Sequence, residues 1–365
     1  MSTIDRRTLN RTRLRRQWLT EPREATPVRA MEHLVGLQAQ LGDPPYYQLW
    51  SRLANFTVDD LSASLLDKSA VRVALMRGTI HLVSARDCLA LRPVLQASMD
   101  KTLFNGSQYG KRVTGVDLAD LIAEGRRLLA AAPLSNDVLA SGLAERFPGY
   151  AGTDLAYVLR CAMPLIQVPP RGVWGEGGAL TYASTSQWLG AEPAATPDVD
   201  DVIRRYLAAF GPATIQDFQV WAGLTQTKPA FERLRDRLVV HHDADGRELF
   251  DLPELELADP DEPLAPVVLG PFDNILLSHR DREFVISKAA QKRVFTQNGI
   301  VKGTILIDGF VAASWKPVLK KKSARIEIEP FETLNSKVRQ SIASRARRLL
   351  DFAAPDADSH AVEFG

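Results

Sequence analysis

The sequence predicts an α+β fold, mainly helical, in which three tandem helix-plus-hairpin units precede a β-rich C-terminal domain. Two observations predict it. Groups of amphipathic helical segments run into alternating, hairpin-like segments three times in order, and residues 266–315 alternate strongly. Helices followed by a strand hairpin make a winged helix. The three copies share order without an exact period, which excludes a solenoid. The expected divisions are 1–100, 101–195 and 196–255 for the winged-helix units and 256–365 for the C-terminal domain.

The first unit opens with residues 9–22. Leu9, Leu14, Trp18 and Leu19 fall near one face, with Arg11, Arg13, Arg15 and Arg16 largely elsewhere, so an amphipathic, arginine-rich helix is expected. Thr26-Pro27 starts a second helix, with Thr as N-cap and Pro at the first helical position. Its apolar stripe is Val28, Met31, Leu34 and Val35, continued by Gln38, and Gly42-Asp43-Pro44-Pro45 is expected to end it. Residues 46–53 and 57–66 read as helices, and 71–84 as strands around Arg77-Gly78.

The second unit has helical segments at 117–146 and an apolar helix over 154–167. A hairpin follows around Pro169-Pro170-Arg171-Gly172 and 175–178. In the third, helices 201–210, 215–222 and 227–239 are separated by Gly211-Pro212 and Gly223-Leu224-Thr225. A strand–turn–strand follows with Asp245-Gly246 as its turn. In the tail, 267–269, 284–286 and 304–313 read as strands, Asn298-Gly299 and Asp308-Gly309 as hairpin turns, Arg325–Ile328 as a strand and 331–352 as a closing helix. The acidic, proline-containing stretch 254–263 reads as a linker.

The chain has 365 residues and a formal net charge of +1. That near-neutrality hides segregation. Residues 1–30 hold eight arginines against three acids, residues 277–350 sixteen cations against six acids, and residues 240–263 nine acids against Arg247. Blocks of both signs predict a basic face with an acidic segment elsewhere, or ordinary surface charge. Arginine, the better bidentate phosphate ligand, supplies 33 of the 45 cations. Two cysteines without a CxxC partner point to a reducing, cytoplasmic setting. No apolar run has bilayer length, and the arginine-rich N-terminus does not read as a secretory signal. The six histidines lack metal-ligand spacing, so no metal is expected. No GxGxxG follows a strand, and neither a P-loop nor a GxSxG is present.

Gln38-Ala39-Gln40 remains. On a continuous helix the two carboxamides point roughly 200° apart. They converge on one ligand only if the helix ends or deforms between them. The plain reading is that Gln38 caps nearby backbone and Gln40 is solvated.

The segments GLQAQ (36–40), MRGTIHLVSARD (76–87), LIQVPPRGVWGEGG (165–178), GPFDNILLSHRDR (270–282) and NGIVKGTILIDGFVAASWK (298–316) together resemble the tandem winged-helix DNA glycosylases, the AlkZ/YcaQ-like family, over about residues 9–350. The order and spacing of these segments carry the resemblance. It implies that Gln38 and Gln40 are the catalytic pair, in the Gln-x-Gln form of the AlkZ-like branch. It further implies a monofunctional glycosylase without cofactor, acting on bulky N7-alkylated or crosslinked purines in repair or in self-resistance to a genotoxin. Lys68 is the lysine nearest the motif in sequence, which speaks against a Schiff-base step.

Asn274, His279, Arg280 and Arg282 lie on or beside an expected hairpin, which the resemblance implies probes the duplex; the plain reading is that Asp273-Asn274 is a turn and Asp281 pairs with a neighbouring arginine. Lys320, Lys321 and Lys322 are phosphate contacts or a solvated turn. Arg77 is expected at a wing tip against DNA, and His81 in packing. Tyr46, Tyr47 and Trp50 line a substrate pocket or belong to the core. The expected partner is double-stranded DNA, with no membrane, and the chain a monomer. The rival reading is a non-enzymatic winged-helix DNA-binding transcription regulator; a scaffold that sequesters a free genotoxin is a further one.

Overall fold

The computed structural model describes residues 3–365. It is an α+β structure whose strands fall into three sheets. The first helix, α1 (Arg6–Arg16), is capped by Asp5, whose side chain accepts from the Thr8 N–H. Helix α2 (Pro27–His33) is capped by Thr26, α3 (Pro44–Trp50) starts on two prolines, and α4 (Val58–Leu66) carries a Thr57/Asp60 capping box. Each start follows from a local residue choice.

The hairpins of the first two units merge. Strands β2 (Leu37–Gln38), β3 (Ala70–Ala74), β4 (Ile80–Ser84), β5 (Leu134–Ser135), β6 (Leu165–Gln167) and β7 (Thr181–Ser184) form one six-stranded sheet in the order β2-β4-β3-β6-β7-β5. The junction is the antiparallel pairing of Arg72 with Gln167 and Val73 with Ile166. The apolar helix expected over 154–167 ends at Ala162, and Leu165–Gln167 is a strand instead. Pro164 is the reason: a residue before proline is pushed out of the helical region, and Met163 is extended at φ −135°, ψ 155°.

In the third unit, helices Val199–Phe210, Ile215–Ala222 and Lys228–Leu234 precede β8 (Val239–Asp243) and β9 (Glu248–Asp251). Strand β1 (Thr3–Ile4) adds to this sheet in parallel with β8. The start of the chain therefore sits with the third unit. The last sheet runs β10 (Val267–Leu269), β11 (Gly303–Ile307), β12 (Phe310–Lys320), β13 (Ser323–Pro330) and β14 (Ser359–Phe364) in chain order. Helix Ser336–Ala353 links the parallel pair β13 and β14 and packs on the sheet. The Asp308-Gly309 turn forms as expected, with φ 49° and 81°. Phe284–Ile286 is not a strand; Val285 and Ile286 both bond back to the Arg282 carbonyl in a turn.

The arginines of α1 do not lie on a free basic face. Arg11, Arg13 and Arg16 are buried. Arg7 and Arg11 both bond Asp308 in the β11–β12 turn. Arg13 donates to the Pro212 carbonyl at 2.6 Å and lies 4.3 Å from the Phe284 ring centroid. Arg15 pairs with Glu262 at 2.9 Å, and Arg16 grips Asp251 through both nitrogens at 2.5 and 2.9 Å. The acidic stretch is thus more than a linker. Its Pro260 and Glu262 carbonyls also accept from Arg7 and Arg11. A helix so rich in arginine buries itself only where carboxylates and carbonyls surround it.

A second buried pair joins the first unit to the C-terminal part. Arg52, just after α3, meets Asp273 in a bidentate contact with both distances 2.8 Å and both side chains inaccessible to solvent. Removing one partner leaves an uncompensated buried charge. Asp273→Ala is expected to lower the unfolding free energy by about 3–5 kcal/mol, read as a lower denaturant midpoint. An effect under 1 kcal/mol would show that the pair is not buried in solution.

Candidate active site

The segment that carries Gln38 leaves helix α2 early. The helix ends at His33 in a Schellman arrangement: Gly36 N–H bonds to the Met31 carbonyl and Val35 N–H to that of Glu32. Val35 takes the left-handed region at φ 52°, and Gly36 follows at φ 100°. A side chain at Gly36 would meet Val83 Cγ1 at 2.7 Å, so only glycine fits. The chain is then extended. Gln38 lies in β2 opposite His81 of β4, and the Ala39 N–H bonds the Ile80 carbonyl. The expected helix through Gln38 is therefore corrected to a strand.

That correction changes the setting of the pair. Leu37 and Ala39 are in the core at 0% exposure, and Gln40 follows in the bend just after the strand. Gln38 is buried and Gln40 exposed. Gln38 Oε1 accepts from Arg77 Nη2 at 2.9 Å. Gln40 Oε1 accepts from the Ile80 N–H at 3.2 Å.

Buried polar residues hold the strand from behind. Arg72 of β3 donates to the Ala39 carbonyl at 3.0 Å and the Leu41 carbonyl at 3.4 Å, on either side of Gln40. Burial, and then Arg171, holds its pKa down to about 10. Gln48 of α3 donates to the Gln38 carbonyl at 3.3 Å and the Pro271 carbonyl at 3.1 Å. Neither residue was singled out from sequence. The signal was there for Arg72: a cation inside the otherwise apolar run AVRVALM.

The segment 271–282 wraps this strand, but as a short helix, Asn274–Leu277, and not as a hairpin. Asn274 is buried, with Nδ2 donating to the Gly36 carbonyl at 2.9 Å. It supports the turn before Gln38 and does not face outward. His279 is fully buried, bonded to the Phe210 carbonyl and edge-on to Phe284, and burial and Arg13 keep it neutral. Neither residue sits where duplex could reach it. Arg282 is half-buried, bonds the Leu276 carbonyl and stacks on Phe295, while Arg280 is exposed. Lys320, Lys321 and Lys322 are exposed at the β12–β13 turn.

Arg77 sits in the turn between β3 and β4, with its guanidinium folded inward instead of outward as a wing tip. The aromatic residues after the motif are packing, which corrects the pocket reading for Tyr46 and Tyr47. Tyr46 is buried and its hydroxyl donates to the Gly172 carbonyl; Tyr47 is buried edge-on between Trp174 and Trp315. Trp50 is half-buried against Phe352. The basic face expected from the charge blocks at 1–30 and 277–350 also needs correction, because Arg11, Arg13 and Arg16 are internal. Arg6, Arg280 and Arg282 do share a cleft of about 770 Å³, together with Asp243, Asp245 and Asp281.

The chain matches the family of AlkZ-like DNA glycosylases over residues 31–352. It belongs to that family. An interstrand DNA cross-link repair glycosylase of Streptomyces sahachiroi is 27% identical to it over 326 residues, 84% of this chain and 86% of that one. The solved DNA glycosylase AlkZ of Streptomyces sahachiroi has the same fold, with a TM-score of 0.79 over 100% of both chains at 22% identity. This AlkZ-like protein is therefore a DNA glycosylase, an enzyme that hydrolyses N-glycosidic bonds, and the regulator reading is set aside. Among the described residues no helix is long and apolar enough to cross a membrane, and no three His, Cys, Asp or Glu side chains gather to hold a metal ion.

His81, the cross-strand neighbour of Gln38, is held neutral. Burial, and then Arg77, lowers its pKa to about 3, while Arg77 itself is held at about 10. Neither group changes charge near neutrality. Single-turnover excision is expected to be flat between about pH 5 and about pH 8; a limb of unit slope inside that window would mean that another group supplies or removes a proton. A histidine whose folded pKa is depressed contributes stability that is lost as pH falls from its unfolded value. Unfolding free energy is expected to drop as pH goes from about 6.5 towards about 3. A His81→Phe variant should show a shallower fall.

Proposed function

We propose that this AlkZ-like glycosylase releases bulky N7-alkylated or crosslinked purines from double-stranded DNA, as a monomer and without a cofactor, and that Gln38 and Gln40 carry the reaction. The observation that supports this best is that the two carboxamides lie two residues apart at the end of one short strand, with each Oε1 accepting from a group that can only donate. Each oxygen keeps a second lone pair and each amide keeps N–H groups. Such a pair can hold one water by accepting from it and donating to it.

The chemistry suits a pair without full charge. A purine alkylated at N7 is cationic, so its C1′–N9 bond breaks with the electron pair going to N9 and no acid is needed. The site has only to place water at C1′ and tolerate an oxocarbenium-like sugar. None of the side chains bonded to the pair is a lysine, which fits a monofunctional enzyme. The name of the Streptomyces relative, a cross-link repair glycosylase, supports the bulky-adduct reading. An apolar groove of about 630 Å³ supports it too. It runs past Leu41, the residue after Gln40, and is lined by Phe272, Ile300 and Trp315.

The helix-plus-hairpin units at 1–100, 101–195 and 196–255 serve as winged helices that seat the duplex, with 256–365 as the domain that closes on them. Lys320, Lys321, Lys322 and Arg280 are assigned to phosphate, and Arg282 to the duplex beside the site.

Gln38→Ala and Gln40→Ala are each expected to slow excision of N7-methylguanine from duplex DNA by about a hundredfold, measured as heat-labile abasic sites. Full activity in both variants would overturn the assignment. Leu41→Asp is expected to spare N7-methylguanine and weaken excision of adducts with large apolar substituents. Replacing Lys320, Lys321 and Lys322 together with alanine should flatten the salt dependence of DNA binding by roughly 0.9 in slope for each phosphate no longer neutralised. An unchanged slope would mean that the three lysines do not touch the backbone.

A further inference from the structure

Arg77 has no ordinary reason to be where it is. It lies in the tight turn Met76–Gly78, at φ 57°, in the left-handed region that non-glycine residues rarely enter. Its side chain is partly buried with the guanidinium turned inward, and no carboxylate pairs with it among the described residues. The charged group nearest in effect is another cation, Arg282. Its two terminal nitrogens reach neutral oxygens only: the Trp221 carbonyl, in the last turn of helix Ile215–Ala222, and Gln38 Oε1 at 2.9 Å. That helix end carries partial negative charge, which is the compensation the guanidinium finds. Close packing fixes the contact, since a side chain at Gly223 would meet the Arg77 Cα and N at 3.1 Å.

A primary amide can be turned over without changing its shape, and only its partners decide which end faces which way. A guanidinium donates and never accepts. Facing Arg77, Gln38 must therefore present Oε1 inward, and its Nε2 has no partner among the described residues. The backbone carbonyl of Gln38 is pinned separately by Gln48, so the side chain's direction rests on Arg77.

We propose that Arg77 is a positioning residue for base excision. It locks the Gln38 carboxamide with Oε1 inward, presents Nε2–H and the remaining Oε1 lone pair to the attacking water, and ties this side chain to helix Ile215–Ala222 of the third unit. The proposal rests on Gln38 acting in the reaction. In that step the water oxygen bonds to C1′ as the C1′–N9 bond breaks, N9 takes the electron pair and the cationic purine leaves neutral, and the water's proton passes to solvent. Arg77 neither gives nor takes a proton.

The test is single-turnover excision of N7-methylguanine from duplex DNA by the full chain at saturating enzyme, with DNA affinity measured separately by anisotropy. Arg77→Met is expected to slow the chemical step by about tenfold or more while affinity changes less than about threefold. Arg77→Lys, which keeps one donor and the charge, should recover part of that loss. The double variant Arg77→Met with Gln38→Ala should be no slower than Gln38→Ala alone, because the arginine has nothing left to position. Three results would overturn the proposal: a wild-type rate for Arg77→Met, a loss confined to affinity, or losses that multiply in the double variant. If Arg77→Met does not fold, the same comparison is made with Arg77→Lys, expected about threefold to tenfold slower alone and silent beside Gln38→Ala; multiplying losses overturn it equally. Full activity in Gln38→Ala defeats the underlying reading instead, and that arm is read on its own.

Discussion

Every guanidinium that this fold takes out of water must be met by oxygen atoms, and meeting that need joins parts of the chain far apart in sequence. Unpaired buried charge is too costly to keep. Helix α1 therefore sits where Asp251, Glu262, Asp308 and the Pro212 carbonyl surround it. These partners come from the third unit, the acidic stretch and the C-terminal sheet. Arg52 with Asp273 does the same between the first unit and the segment 271–282. A share of the arginines and acids thus cancel inside the molecule and add nothing to a surface field.

The same requirement shapes the candidate active site in a different way. Arg72 and Arg77 are met by carbonyl oxygens and a carboxamide, not by carboxylates. Each holds a different part of the glutamine segment, one the backbone around Gln40 and the other the side chain of Gln38. Asn274 and Gln48 complete the support from the turn before and the helix after. A strand two residues long is otherwise weakly specified. Here its position is set by polar contacts from three directions, which is what the proposed placing of one water requires.

Much of the secondary structure was legible because it is encoded locally. Thr26, Thr57 with Asp60, and Thr214 with Asp217 cap helices within three residues of themselves. Asp308-Gly309 turns its hairpin through the same short-range chemistry. The failures came where a distant partner decided. An apolar stripe at helical spacing continued through Gln38, yet Gly36 ends the helix early, and the strand register is then set by β4. Gly36 was the available local signal. Asn274, His279, Tyr46 and Tyr47 looked free to meet a ligand, and burial by other segments makes them packing.

Sequence by itself determined the family resemblance, the α+β class with helices leading into hairpins, and the Gln-x-Gln pair as the residues to watch. Those depend on residue identity and spacing within short windows. Only the tertiary structure decided that Gln38 leaves the helix for a strand, which way the two amides turn, and that the basic N-terminal helix is largely internal. The physical reason is the same in each case. A hydrogen-bonding side chain is fixed by the donors and acceptors that close around it, and these come from segments up to about three hundred residues away.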